Sequence, residues 1–240
     1  MTGRLIVVGT GIGAARLTAE ARAAIEAADE LLYLIPDSIS VLAVEQLNPR
    51  SRSLADCYVE GEQRRDAYAR MVEAMLEPVR SGKLVCAAFY GHPGVFSLPP
   101  HEAIKQARSE GFEATMLPGI SAEDCLFADL GVDPAEAGCQ SYEATRFLER
   151  RPAIEPRAAL VLWQIGVVGS ANHSAEFQAP RLPELIERLR ELYSDEHEVV
   201  VYEASSFVGV APLIRPTPLA ELAAAVTPAS TLYVPPVEQP

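Results

Sequence analysis

The sequence is poor in the residues that build disulfide and metal chemistry. Four cysteines, Cys57, Cys86, Cys125 and Cys139, are scattered over 240 residues without a CxxC pair. With no secretory leader, they read as reduced thiols in a cytoplasmic protein. Four histidines, His92, His101, His173 and His197, offer neither HxH nor HExxH spacing, so no metal site is expected. Positive charge is short as well. Against 33 acids stand 20 lysines and arginines, a net charge of −13, which argues against a nucleic-acid partner. No apolar run approaches the roughly 18 residues that span a bilayer, so no membrane association is expected, and there is no internal repeat or low-complexity tract. What is present is 49% hydrophobic and 22% charged, ample for the core of one large or two modest α/β domains.

The most distinctive stretch covers residues 89–142. The apolar run Val85-Cys86-Ala87-Ala88-Phe89 predicts a buried strand. It ends in Tyr90-Gly91-His92-Pro93-Gly94-Val95-Phe96-Ser97, where two glycines and a proline force a turn. Pro99 and Pro100 open a helix over 99–109. A strand over 112–117 follows, Pro118-Gly119-Ile120-Ser121 turns again, and Ser121 caps a helix with Asp124 three residues on. Ligands of open α/β sheets sit at such strand C-terminal ends.

Upstream, strands are predicted over 4–8 and 31–35, and helices over 15–28, over 41–47 with Ser38 as cap, and over 62–80, the last burying Tyr68, Met71, Ala74, Met75 and Val79. Strand and helix in alternation imply parallel pairing with right-handed crossovers. Downstream the texture changes: strands over 157–164, 198–203 and 230–234, helices over 182–193 and 219–225, and an irregular stretch over 166–180. The reading is two α/β domains, 1–117 and 118–240, hinged at Pro118-Gly119.

Gly9-Thr10-Gly11-Ile12-Gly13-Ala14 satisfies GxGxx[GA] between a strand and a helix, and Asp37 near the end of the second strand could serve a ribose. The pattern alone fits a nucleotide cofactor or a tight strand–helix turn, and it leaves both open.

Taken together, Gly9-Thr10-Gly11-Ile12-Gly13, Tyr90-Gly91-His92-Pro93-Gly94-Val95-Phe96 and Leu117-Pro118-Gly119-Ile120-Ser121-Ala122-Glu123-Asp124 resemble the tetrapyrrole-methylase superfamily. Within it, Ser141-Tyr142-Glu143-Ala144, Trp163-Gln164 and Ser230-Thr231-Leu232-Tyr233-Val234-Pro235-Pro236 are most similar to the borosin α-N-methyltransferases. The resemblance runs nearly full length. It implies two α/β domains of the tetrapyrrole-methylase type with the cofactor in the cleft between them. The implied activity is S-adenosyl-L-methionine-dependent methylation of backbone amides in a ribosomally made precursor peptide, with S-adenosyl-L-homocysteine as product and no metal. The chain stops four residues past Pro236, so a separate precursor is expected. A homodimer is implied, or a heterotetramer with two precursors. A C-methyltransferase of a tetrapyrrole on the way to cobalamin or sirohaem is the alternative on the same fold, and a non-catalytic peptide-binding module is a third reading.

The resemblance also assigns residues. Tyr58, Arg64 and Tyr68 match a family signature of a tyrosine, then an arginine and a tyrosine four apart, with Arg65 adjacent to Arg64. Tyr90, His92, Val95, Phe96, Ser121 and Ala122 are assigned to the cofactor from the first half, and Gln164, Tyr202, Ala204, Ser230 and Thr231 from the second. The chemistry makes sense of the signature. An amide nitrogen shares its lone pair with the carbonyl and is a poor nucleophile, so a site needs a base near nitrogen and donors at the oxygen. Tyr58 or Tyr68 is expected as base or oxyanion donor. Arg64, on the same helix face as Tyr68, is expected to lower a tyrosine pKa from about 10. Gly91 and Gly94 are expected to clear space for the cofactor, and Ser121 and Ala122 to offer N–H groups to its carboxylate.

Overall fold

The structure, a computed structural model, describes residues 3–170 and 178–237. Two compact units form. One comprises Met1–Cys125 with Ser205–Val210, the other Leu126–Ala204 with Ala211–Pro240. The first therefore continues past Pro118-Gly119 as far as Cys125.

In the first unit, strands β1 (Arg4–Gly9), β2 (Glu30–Leu34), β3 (Ser51–Ser53), β4 (Leu84–Phe89) and β5 (Glu113–Leu117) form one sheet in the order β3-β2-β4-β1-β5. All its pairs are parallel, as strand–helix alternation requires. Both faces are covered. Leu5, Val7, Val85, Ala87 and Phe89 join the side chains of α3 (Arg64–Arg80) and α4 (Leu98–Ser109). Val8, Leu31, Tyr33, Cys86 and Ala88 join those of α1 (Ala19–Ala27) and α2 (Ser38–Leu47). Burial on two faces is why these strands read as unbroken apolar runs. Each fully buried aliphatic side chain adds roughly 1.5–3 kcal/mol.

Local chemistry sets the helix ends, and three expectations change here. The helix expected over 15–28 begins later. Residues Ala14–Arg16 make a 3-10 turn, and Thr18 caps α1 by accepting from the Ala21 N–H. The cap of α2 is Asp37, whose Oδ1 accepts from the Ser40 N–H at 2.7 Å, so Ser38 is already helical. On α3 the fully buried residues include Met71, Met75 and Val79, whereas Tyr68 and Ala74 are only partly covered. The Ser121–Asp124 cap forms as read, with the Ser121 N–H and hydroxyl both donating to Asp124 Oδ2 at 2.7 Å. It opens α5 (Ala122–Leu130).

The second unit contains α6 (Pro134–Ala137), β6 (Cys139–Glu143), α7 (Ala144–Arg150), β7 (Ala159–Trp163), α8 (Leu182–Arg190), β8 (Glu198–Glu203), β9 (Leu213–Pro218), α9 (Leu222–Ala225) and β10 (Thr231–Val234). Its sheet runs β6-β7-β10-β8-β9, with β6 and β7 parallel and the remaining pairs antiparallel. One core serves it: Leu160, Leu162, Val199, Val201, Leu232 and Val234 meet Phe147, Leu185, Leu189 and Leu222 from the helices. Of the irregular stretch expected over 166–180, residues 171–177, His173 among them, lie outside the described residues. Among the described residues no helix is long and apolar enough to cross a membrane.

Candidate active site

Because the first sheet is parallel, the loops that follow its strands leave from one edge, and three of them meet there. Gly11 and Gly91 exchange backbone hydrogen bonds at 3.2 and 2.9 Å. A Cβ on Gly9 would lie 2.3 Å from the Gly91 carbonyl oxygen and 2.8 Å from Gly119 Cα, and one on Gly119 would lie 2.5 Å from that same oxygen. The turns after β1, β4 and β5 thus touch backbone to backbone, which only glycine permits. The glycines also have a packing role. Gly91 and Gly94 open room for other protein groups: a Cβ at Gly94 would meet Met116 Sδ at 2.8 Å and the His92 ring, and one at Gly91 would meet Ile12. The first loop is packed in the same way, since a Cβ on Gly13 would strike the Ser206 carbonyl at 2.2 Å. Its glycines are packing glycines.

The turn after β4 carries four candidates. His92 Nδ1 accepts from the Gly94 N–H at 3.0 Å, and His92 O accepts from the Val95 N–H at 3.1 Å, so the imidazole braces the turn. Val95 and Phe96 remain 37% and 46% exposed. Phe96 has φ +51°, a left-handed conformation that costs a bulky residue of order 1–3 kcal/mol. Burial pushes the Tyr90 hydroxyl pKa up, opposed by a hydrogen bond from Ser206. Ser206 and Arg16, which donates to Ser205 O at 3.0 Å, were not anticipated; nothing in a Ser-Ser pair so far along the chain from Tyr90 signals contact. After β5, the Ser121 N–H is taken by Asp124, so Ser121 does not offer that donor to a ligand. Ala122 opens α5.

Tyr58 follows the 3-10 turn Ala55–Cys57 after β3, and Arg64 and Tyr68 occupy the first turns of α3, the helix that connects β3 to β4. Both segments therefore begin at the same sheet edge. The Tyr58 and Tyr68 rings meet edge to face, centroids 6.5 Å apart. Tyr58 lies within the field of Arg64, which pulls its pKa down, yet burial, the proximity of Tyr68 and a hydrogen bond to Tyr68 carry it up to about 12. The expectation that arginine would lower this pKa on balance is reversed: desolvation is the larger effect. Of the two arginines, Arg64 is half-buried and Arg65 exposed. Neither suits the positive end of the α3 dipole, where a cation costs about 0.3–1 kcal/mol.

In the second unit, the five candidates gather at one end of the sheet. Antiparallel pairing brings the start of β10 beside the ends of β7 and β8, with Thr231 opposite Tyr202 and Leu232 opposite Leu162. Gln164 is exposed and left-handed, φ +61°, immediately after β7. Ala204 follows β8 and is half-buried. Tyr202 is fully buried and its hydroxyl donates to Asp129 Oδ2 at 2.7 Å, so any ligand contact falls to its main chain. Ser230 is fully buried too and Thr231 nearly so. Ser230 Oγ donates to Glu203 Oε1 at 3.1 Å, and Thr227 donates to the same carboxylate. Glu203 and Thr227 were missed, although a carboxylate ending the apolar strand EVVVYE was a readable signal.

Comparison with known proteins places this arrangement. Tetrapyrrole (corrin/porphyrin) methylases match over residues 4–223. The chain is 40% identical over 243 residues to a methyltransferase/ribosomally synthesized type I borosin cyclic peptide precursor of Coprinopsis marcescibilis, covering 98% of this chain and 62% of that protein. It is 40% identical over 241 residues to the methyltransferase/ribosomally synthesized cyclic peptide omphalotin A precursor of Omphalotus olearius, covering 98% and 58%. The chain thus spans about 60% of the length of these relatives. Among solved structures, the fold is shared with uroporphyrin-III-C-methyltransferase from Thermus thermophilus (TM-score 0.67, 21% identity, 98% of this chain and 93% of that one). It is shared also with a cobalamin biosynthetic enzyme, cobalt precorrin-4 methyltransferase (TM-score 0.70, 18% identity, 97% and 94%). Two differently built sheets, three glycine turns in mutual contact and a match over most of the length lead to one conclusion: the chain belongs to the tetrapyrrole methylase family.

Proposed function

We propose that this protein is an S-adenosyl-L-methionine-dependent methyltransferase that α-N-methylates backbone amides of a ribosomally made precursor peptide. The names of relatives at about 40% identity support a peptide acceptor; proteins named for tetrapyrroles share the fold at 21% and 18% identity, which favours the peptide over a macrocycle. The observation that carries the reading is the edge-to-face Tyr58–Tyr68 pair, with Tyr58 in the field of Arg64, at the same edge as the Tyr90–Phe96 turn.

The residues present fit the cofactor. Phe96 and Gln164, both in candidate positions, are two of the three non-glycine residues with positive φ among the described residues, and such strain collects at ligand sites. Asp37 Oδ2 is buried at the sheet edge without a hydrogen-bond partner among the described residues, an acceptor suited to an ammonium group. In this reading the cofactor contacts are Tyr90, His92, Val95, Phe96 and Ala122 in the first unit, and Gln164, Ala204, Ser230, Thr231 and the main chain of Tyr202 in the second. When bound, S-adenosyl-L-methionine supplies an electrophilic methyl group.

The chain's own residues prepare the amide. With its pKa near 12, Tyr58 keeps its proton at neutral pH and acts as a hydrogen-bond donor to the amide oxygen. Arg64 stabilises the negative charge that develops there as the N–H proton leaves. Tyr68 is assigned as acceptor of the N–H proton, which it takes as a phenolate and so becomes the neutral phenol. A homodimer is part of this reading, tested by light scattering. The main test is mass spectrometry of a precursor peptide supplied in trans: Tyr58→Phe and Tyr68→Phe are each expected to slow methylation about a hundredfold, and full rates in both would remove the pair from the chemistry.

A further inference from the structure

We infer that Glu203 is a positioning residue for the methyl-donor site, fixing the turn that leads into β10. This rests on the cofactor reading above and adds a residue to it. Glu203 is the last residue of β8 and pairs in register with Leu213. Its Oε1 accepts from two hydroxyls, Thr227 Oγ1 and Ser230 Oγ, the latter at 3.1 Å. Those hydroxyls in turn hold backbone: Ser230 Oγ accepts from the Thr227 N–H at 2.8 Å and Thr227 Oγ1 from the Ala229 N–H at 3.3 Å. One carboxylate oxygen therefore ties both hydroxyls of the turn 227–230 to the end of β8, while the Ser230 N–H closes the turn on Thr227 O at 3.2 Å.

The other side of the turn is fixed as tightly. A Cβ on Gly166 would lie 2.0 Å from the Thr227 carbonyl oxygen and 2.7 Å from that of Pro228. Gly166 lies two residues past Gln164, so the turn is clamped between the segment after β7 and the end of β8. Ser230 and Thr231, assigned to the cofactor, leave directly from it. An apolar residue at 203 would leave the Thr227 hydroxyl without this acceptor and leave the fully buried Ser230 Oγ only Thr227 Oγ1, at 3.2 Å, so the turn would lose the anchor that ties it to the end of β8. Glutamine keeps one acceptor oxygen and supplies an N–H that a hydroxyl can accept.

The test is calorimetric titration of S-adenosyl-L-homocysteine into the full chain and its Glu203→Ala, Glu203→Gln and Thr227→Val variants, with chemical denaturation alongside. The wild type is expected to bind. Glu203→Ala is expected to weaken binding about tenfold or more, Glu203→Gln to recover most of that loss, and the denaturation midpoint to change little in the glutamine variant. Wild-type affinity in Glu203→Ala would overturn the inference and leave the cofactor reading intact. Should Glu203→Ala fail to fold, Thr227→Val decides: weakened binding supports the inference, unchanged affinity overturns it. A wild type that does not bind would overturn the cofactor reading and this inference with it.

Discussion

At Tyr58 two effects oppose each other, and their balance decides the residue's role. Arg64 favours the phenolate; burial and the Tyr68 hydrogen bond favour the phenol and prevail, to a pKa of about 12. The folded pKa lies above the unfolded value of about 10, so the native state holds the proton more tightly. Stability from this group is fully present below about pH 10 and is lost as pH rises toward 12. Ultraviolet titration of the phenols is expected to show two tyrosines ionising near pH 12, Tyr33 and Tyr58, and only one in Tyr58→Phe; an unchanged titration in that variant would return Tyr58 to the role of base. The same scale separates the arginines. Arg64→Ala is expected to slow methylation about a hundredfold, and Arg65→Ala, whose side chain is exposed, to leave the rate within about twofold. Spacing in the sequence picked out Tyr58, Arg64 and Tyr68. It could not tell that desolvation outweighs the guanidinium, because burial is a property of the packed chain.

At the scale of elements, the three glycine turns stand or fall together. Gly9→Ala inserts a methyl 2.3 Å from the Gly91 oxygen and is expected to cost about 1–3 kcal/mol in urea denaturation and to weaken S-adenosyl-L-homocysteine binding; a neutral result would mean the turns can move apart freely. At α2, Asp37→Ala is expected to cost about 1 kcal/mol and Ser38→Ala only a few tenths, reversing the order read from sequence, where serine before an apolar run looked like the cap. The buried strands β1, β2, β4, β7, β8 and β10 were legible because their runs are apolar. Those that were missed, β3 (SRS), β6 (CQSYE) and β9 (LIRPTP), are sheet edges. An edge strand is half-solvated, so it need not be apolar, and β9 can hold Pro216 and Pro218, which an inner strand excludes. Likewise α7 begins on a Glu143 cap inside a segment with little periodicity.

For the whole molecule, the alternation of strands and helices in the first half dictated a parallel sheet covered on both faces, and the change of texture in the second half marked a sheet of mixed direction. Side chains in each sheet that were assigned by resemblance collect at a strand end, where loops are free to carry chemistry while the cores hold them rigid. Contacts made by residues remote in sequence, such as Ser206 with Tyr90 and Thr227 with Glu203, have no local signature and emerge only on folding. The central claim is that this scaffold delivers methyl groups to peptide nitrogen. Co-expression with a candidate precursor peptide, for which the core-peptide segment of a borosin relative can serve, followed by intact-mass and fragment-ion analysis of that peptide, tests it most directly. The expected result is a ladder of added methylenes located on backbone nitrogens and lost in Arg64→Ala. An unmodified peptide beside a protein that binds S-adenosyl-L-homocysteine, or methyl groups on side chains or carbon, would contradict it.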